Sequence, residues 1–230
     1  VHLSTNTIVF VERCTSHEMT ALQDSRLMTI GCVIEASRNK LYPMLFKQNR
    51  KTLIWGTEDW RVSAVPGSDS EVENGTWARY KLADVISKHP EEILGKQVAK
   101  QYGNKLPLLA KIINAKSDLS IQVHPNDEMA QREHGKSGKS EMWYIIDAAP
   151  NAYLYAGFKK HITPEEYKKH VIDGTITDVL AKHEVHAGDV FYLPAGRVHA
   201  ICGGITLAEI QQSSDVTYRI YDYNRPGLDG

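Results

Sequence analysis

The sequence predicts a mainly β fold with short helices attached, and three observations carry that prediction. Short apolar runs of strand length recur along the chain, glycine and proline turns separate them, and the stretches with helical spacing are brief. The most regular stretch is Gly188-Asp-Val-Phe-Tyr-Leu-Pro194-Ala-Gly-Arg-Val-His199-Ala-Ile-Cys-Gly-Gly204. It reads as a glycine turn, an apolar strand, a proline turn and a second strand that opens on a histidine.

Composition sets outer limits. A chain of 230 residues, 42% hydrophobic and 24% charged, is long enough to bury a sizeable core in one large domain or two small ones. Its 27 basic and 28 acidic residues nearly balance, so no general attraction to nucleic acid or to anionic lipid is expected, and any anion binding must be local. Cys14, Cys32 and Cys202 are odd in number and widely spaced, which fits a reducing, cytoplasmic compartment better than a disulfide framework. No run approaches the ~18 apolar residues of a membrane span, and the first residues lack the basic and apolar regions of an export signal.

Taken in order, residues 1–40 read as an N-terminal extension with no assigned role, in which Thr7–Val11 and Met28–Ile34 are the candidate strands. Residues 41–60 suggest an irregular arm and a strand, with Trp55 and Trp60 as packing residues. Pro66–Thr76 is polar and turn-like. Leu82, Val85 and Ile86 have helical spacing, and Pro90 opens a second helix through Lys100, with Glu91 and Glu92 in its first turn. Leu106–Ala115 is a strand interrupted by Lys111, which either snorkels at an edge or faces a cavity; the strand's composition favours the edge. Asn126 caps a short helix that Gly135 ends, and residues 136–139 form a basic loop. Thr163-Pro-Glu-Glu166 has the pattern of a capping box, starting a helix that runs to about Asp173-Gly174, and residues 177–182 add a short turn. Ile205–Ser214 and Val216–Tyr223 are the last strands; in the second, Thr217, Arg219, Tyr221 and Tyr223 are expected to share one face. His134, His161, His170, His183 and His186 lie on polar turns and surfaces and are expected to bind no metal.

Chemistry concentrates in three strands. Side chains two apart on a strand share a face, so Gln122 and His124 point the same way while Ile121 and Val123 point the other. Glu141 opens a further strand, and His199 opens the second strand of the 188–204 hairpin. Two imidazoles, a carboxylate and an amide oxygen suit zinc, with water or substrate completing the shell. Ser120 shares the face of Gln122, and Lys139 the face of Glu141.

The hairpin spacing of Gly188, Pro194 and His199 resembles the second signature motif of the cupin barrels, with Gly203 where that motif has Asn. With this motif, the many short strands imply a cupin jelly-roll barrel. Four segments in order, Leu119–Asn126, Lys139–Tyr144, Gly188–His199 and Gln212–Asp222, resemble the type I mannose-6-phosphate isomerases in their short bacterial form, from roughly Leu41 onward. That resemblance implies a catalytic cupin domain over 41–230 and a second, C-terminal cupin domain missing from this chain. An apolar face left by its absence would favour a homo-oligomer. It implies one zinc ion per chain on Gln122, His124, Glu141 and His199, and a sugar phosphate as partner. The implied reaction is interconversion of mannose 6-phosphate and fructose 6-phosphate through a cis-enediol. It reverses the edge reading of Lys111, placing that lysine toward the active cavity, and it associates Ser120 with the phosphate. Arg219 is implied as catalytic, Lys139 is the candidate proton carrier and Glu209 the alternative. A cupin sensor of sugar phosphates that does no chemistry, an inactive truncated isomerase, and an iron-dependent cupin oxygenase are the competing readings.

Overall fold

A computed structural model describes residues 41–227. The candidate strands at Thr7–Val11 and Met28–Ile34 lie outside the described residues. Two compact units are present, one holding the residues up to Lys47 with Glu71–Tyr80, the other Gln48–Ser70 with Lys81–Gly230. In the smaller unit Phe46 bridges Val72, and the Tyr42 hydroxyl donates to the Asn74 carbonyl while accepting from the Trp77 amide. The polar stretch 66–76 is therefore a turn only in its first part; Val72 is fully buried and its amide donates to the Tyr80 carbonyl.

The larger unit is built from eleven strands. One antiparallel sheet has the order β1 (Arg50–Leu53), β2 (Gly56–Val62), β3 (Leu108–Ala115), β10 (Ile205–Gln212), β5 (Glu141–Ala148), β8 (Val190–Leu193). The other has the order β11 (Tyr218–Tyr221), β4 (Ile121–Val123), β9 (His199–Ile201), β6 (Tyr153–Phe158), β7 (Leu180–Glu184). Ile113, Trp143, Ile145 and Leu207 from the first sheet and Leu154 and Ile201 from the second form one buried cluster, so the two sheets enclose a common core. This is the mainly β, two-sheet architecture expected of a cupin jelly roll with short helices attached.

Local chemistry explains most boundaries. Residues 50–62 form a hairpin rather than a single strand, because Gly56, at φ +149°, turns the chain so closely to Asn114 that a Cβ would lie 2.0 Å from its carbonyl oxygen. The helix expected from Pro90 to Lys100 is two pieces, α2 (Pro90–Leu94) and α3 (Lys96–Tyr102), following α1 (Leu82–Lys88), because Gly95 takes φ +81° between them. In α4 (Asp127–His134) the Asn126 side chain accepts from the Met129 amide and Gly135 adopts the left-handed cap. In α5 (Pro164–Ile172) both halves of the Thr163–Glu166 capping box form. Strands β6 and β7 had no clear apolar period. The turn expected at 177–182 is a 3-10 helix at Ile176–Val179 that runs directly into β7. Strand β11 stops at Tyr221, with a register irregularity between Arg219 and Tyr221 and left-handed backbone at Tyr223. That irregularity breaks the expected shared face: Arg219 lines a cavity, whereas Tyr221 and Tyr223 pack on the Ile121–Ile176–Leu180 cluster. Gly203 has a steric reason, since a Cβ there would meet the Ser117 Cα at 3.0 Å while its amide donates to Asp118.

Candidate metal centre and cavity

Alternation along β5 turns Glu141, Trp143 and Ile145 inward, and β9 presents His199 from the facing sheet. His124 follows β4 directly. These placements bring His124, Glu141 and His199 together, all buried, with ligand atoms within 4.8 Å of one another. They are the only such group of His, Cys, Asp and Glu among the described residues, and His134, His161, His170, His183 and His186 are outside it.

The hydrogen bonds fix which ring nitrogens face inward. His124 Nδ1 lies 3.0 Å from the Val216 carbonyl and His199 Nδ1 lies 2.8 Å from the Arg197 carbonyl. A carbonyl only accepts, so each Nδ1 carries the proton and each Nε2 presents a lone pair. The Nε2 atoms stand 3.3 Å and 3.4 Å from the Glu141 oxygens. His199 Nε2 and both Glu141 oxygens are fully buried and make no hydrogen bond of regular geometry, Glu141 being held instead by ion-pair contacts. Burial, opposed by Glu141 and reinforced by His124, pushes His199 down to about 4, so its imidazole is neutral near pH 7. Burial by itself would raise Glu141, but the Lys139 ammonium, a hydrogen bond with His124 and the nearby His199 hold it well below the usual carboxylate range. Lone pairs converging on a buried carboxylate are an electrostatic debt that a cation settles, and this donor set fits a divalent ion with N and O ligands. Lys139, with Nζ 2.8 Å from Glu141 and 3.2 Å from His124 Nε2, is the cation that lies among them here.

Gln122 is the partner of His199 across β4–β9 and of Arg219 across β4–β11, and it lines a cavity of about 290 Å³ that Lys139 also lines. Ser120, Lys111, Glu209 and Arg219 share that cavity. Arg219 Nε donates to the Ser120 hydroxyl at 2.9 Å. Lys111 is 7% exposed and faces inward, because it sits opposite Trp60 in β2 and Glu209 in β10 on the concave side of the sheet. The edge reading of Lys111 is thus overturned: β3 is a central strand with neighbours on both sides. Glu209 uses both oxygens, one 3.0 Å from Lys111 Nζ and the other accepting from the Trp143 indole at 2.9 Å.

Three contributors lay beyond sequence reasoning. Trp60 and Glu58 line the cavity from β2, where Trp60 seemed a packing residue. Gly138 lets the basic loop settle on the start of α4: a Cβ there would lie 2.5 Å from the Asn126 carbonyl carbon and the Asp127 amide, while its own amide donates to Asp127 and the Lys139 amide donates to Pro125. A glycine beside two lysines resembled a solvated turn, and only its closeness to the helix reveals its function.

A two-sheet barrel with a buried His-Glu-His group beside a polar cavity has the make-up of a cupin with a candidate metal site. Residues 32–163 match the family model of the phosphomannose isomerase type I catalytic domain. The chain belongs to that family. It is 44% identical over 169 residues to the relative named "Probable mannose-6-phosphate isomerase GmuF" from Bacillus subtilis, covering 73% of this chain and 52% of that protein. To mannose-6-phosphate isomerase ManA of the same organism it is 38% identical over 205 residues, covering 82% and 63%. The crystal structure of the Bacillus subtilis mannose 6-phosphate isomerase superposes with a TM-score of 0.75 at 33% identity, covering 81% of this chain and 63% of that one. The chain thus spans about half to two-thirds of the length of the relatives it matches.

Proposed function

We propose that the chain is a zinc-dependent aldose-ketose isomerase that interconverts mannose 6-phosphate and fructose 6-phosphate through a cis-enediol, with 41–230 as its catalytic cupin domain. The observation that carries this reading is the buried His124–Glu141–His199 group, its ligand atoms within 4.8 Å of one another, beside a cavity lined by Gln122, Lys139, Ser120 and Arg219. Membership of the phosphomannose isomerase family supports the choice of substrate. Gln122, His124, Glu141 and His199 would hold one zinc ion. Zinc, when bound, supplies Lewis-acid polarisation of the sugar oxygens at C1 and C2.

The protein's own groups then divide the work. Lys139, once its ammonium has given up its proton, takes the proton from C2 of the aldose as the neutral amine and returns it to C1, and its position 2.8 Å from Glu141 puts that amine beside the ligand set. The guanidinium of Arg219 stabilises the negative charge that develops on the enediol oxygens; its Nε is anchored on Ser120, which limits reorganisation. Ser120 and Lys111 are the phosphate contacts. Glu209, the alternative base, has its oxygens occupied by Lys111 and Trp143, an arrangement that favours Lys139 as proton carrier.

The reading is tested by turnover of mannose 6-phosphate with zinc and after chelation, together with proton exchange at C2. Chelation is expected to abolish turnover and zinc to restore it. Lys139→Met is expected to slow C2 exchange by about 10²–10⁴-fold, with Glu209→Gln retaining exchange. Full turnover after zinc removal would overturn the metal role, and exchange lost only in Glu209→Gln would move the base to Glu209.

A further inference from the structure

The cavity holds four cationic side chains, and they are not equally compensated. Lys139 is paired with Glu141 at 2.8 Å, and Lys111 with Glu209 at 3.0 Å and with Glu58 at 3.8 Å. Arg219 and Lys51 have no carboxylate within ion-pair distance among the described residues. Lys51 projects from the edge strand β1, opposite Glu58 in β2. Its ammonium sits 3.4 Å from the centroid of the Trp60 ring and donates to the Ser68 hydroxyl at 2.9 Å. The Trp60 indole is itself fixed, since its Nε1 donates to Glu58 at 2.8 Å.

This is an unusual way to hold a lysine. Such a side chain has about 2 kcal/mol of rotamer freedom to lose, and at an edge strand it would normally extend into water. Here an aromatic face and a hydroxyl hold it over a cavity, while the carboxylate opposite it in register is engaged by Trp60 and Lys111. A cation kept in place with no carboxylate in ion-pair contact is preorganised for an anionic group arriving from outside. Burial is the main cause that lowers the Lys51 pKa, with Glu58 opposing it and Lys111 adding to it.

We propose that Lys51, held by Trp60 and Ser68, grips the phosphate monoester of the substrate from the β1 side of the cavity and so selects phosphorylated over neutral sugars. The inference rests on the sugar-phosphate reading above and adds a specificity-determining residue to it. Lys111, already paired with Glu209 and Glu58, then contributes less to the phosphate than its place in the cavity suggests.

Two measurements on the full chain decide it. Calorimetric binding of inorganic phosphate is compared in the wild-type protein, Lys51→Met and Lys51→Arg, and KM and kcat for mannose 6-phosphate are measured on the same three. Lys51→Met is expected to weaken phosphate binding and raise KM by tenfold or more, with a much smaller fall in kcat, and Lys51→Arg to recover most of both. Phosphate binding as tight in Lys51→Met as in the wild type, or none in the wild type, would overturn the proposal. Absence of mannose 6-phosphate turnover in the wild type would instead sink the isomerase reading, and the phosphate titration would still decide whether Lys51 holds an anion.

Discussion

At the scale of single residues, Cys202 shows how burial controls reactivity. It is a free thiol, 1% exposed, and burial with the Asp118 carboxylate nearby pushes it up to about 12 from an ordinary 9.0. The folded state therefore retains the proton while the unfolded chain releases it above 9.0. Any stability linked to this group is complete below that value and is lost as the pH climbs toward 12. Iodoacetamide at pH 8 is expected to leave Cys202 unmodified in the native protein and to alkylate it in guanidinium, as read by peptide mass spectrometry; rapid native alkylation would contradict the burial. Strand alternation is local: Gln122 and His124, two apart, were expected on one face, and the structure brings Gln122 opposite His199 and His124 against Glu141. The neighbours of Lys111 were not legible, because Trp60 and Glu209 meet it only through the register of three strands.

At the scale of elements, caps and turns set most boundaries. The Asn126 cap and the Thr163–Glu166 box formed as their spacing implied, since each depends on a few neighbouring residues, whereas the expected hairpin around Pro194 is a crossover between sheets, with β8 paired to β5 in one and β9 paired to β4 and β6 in the other. Strands β6 and β7 escaped notice because pairing, of β6 with β9 and of the edge strand β7 with β6, rather than an apolar period, holds them in the sheet. The loop before β5 has a testable steric requirement. Gly138→Ala would drive a Cβ to within 2.5 Å of backbone atoms at Asn126 and Asp127, which cannot yield as a flexible side chain would. The loop must lift, taking Lys139 from Glu141. A loss of roughly 1–3 kcal/mol in unfolding free energy is expected from denaturant titration, and C2 exchange should fall more than that loss explains. A variant with wild-type stability and exchange would show that the loop relaxes freely.

For the whole molecule, an ion at the candidate metal site would couple binding to folding. An unfolded chain does not hold Glu141 against two imidazoles from the facing sheet, so a cation bound there would stabilise the folded state. At a hundredfold excess over Kd the gain is about 2.7 kcal/mol, which for a chain of this size is roughly 5–10 °C in Tm. Calorimetry with zinc and then with chelator is expected to show that shift in the wild type and to lose most of it in Glu141→Gln. An identical Tm in all conditions would show that the buried His-Glu-His group binds no ion. No helix among the described residues is long and apolar enough to cross a membrane, and the exposed apolar side chains Tyr144, Ile146, Val190 and Tyr192 belong to the paired strands β5 and β8.

The sequence by itself determined the mainly β class, the helix caps and the glycine turns, because each follows from periodicity or from contacts a few residues apart, and its resemblance to the isomerase motifs supplied the four candidate ligands. Only the tertiary structure decided what surrounds those ligands. Arg219 and Ser120 are 99 residues apart in the chain and meet because β11 pairs with β4. Lys111 is neutralised and Lys51 is not because three antiparallel strands align Trp60, Lys111 and Glu209 across one concave face. Charge compensation depends on distances in space, and those are fixed by strand register and by the closure of two sheets on one core.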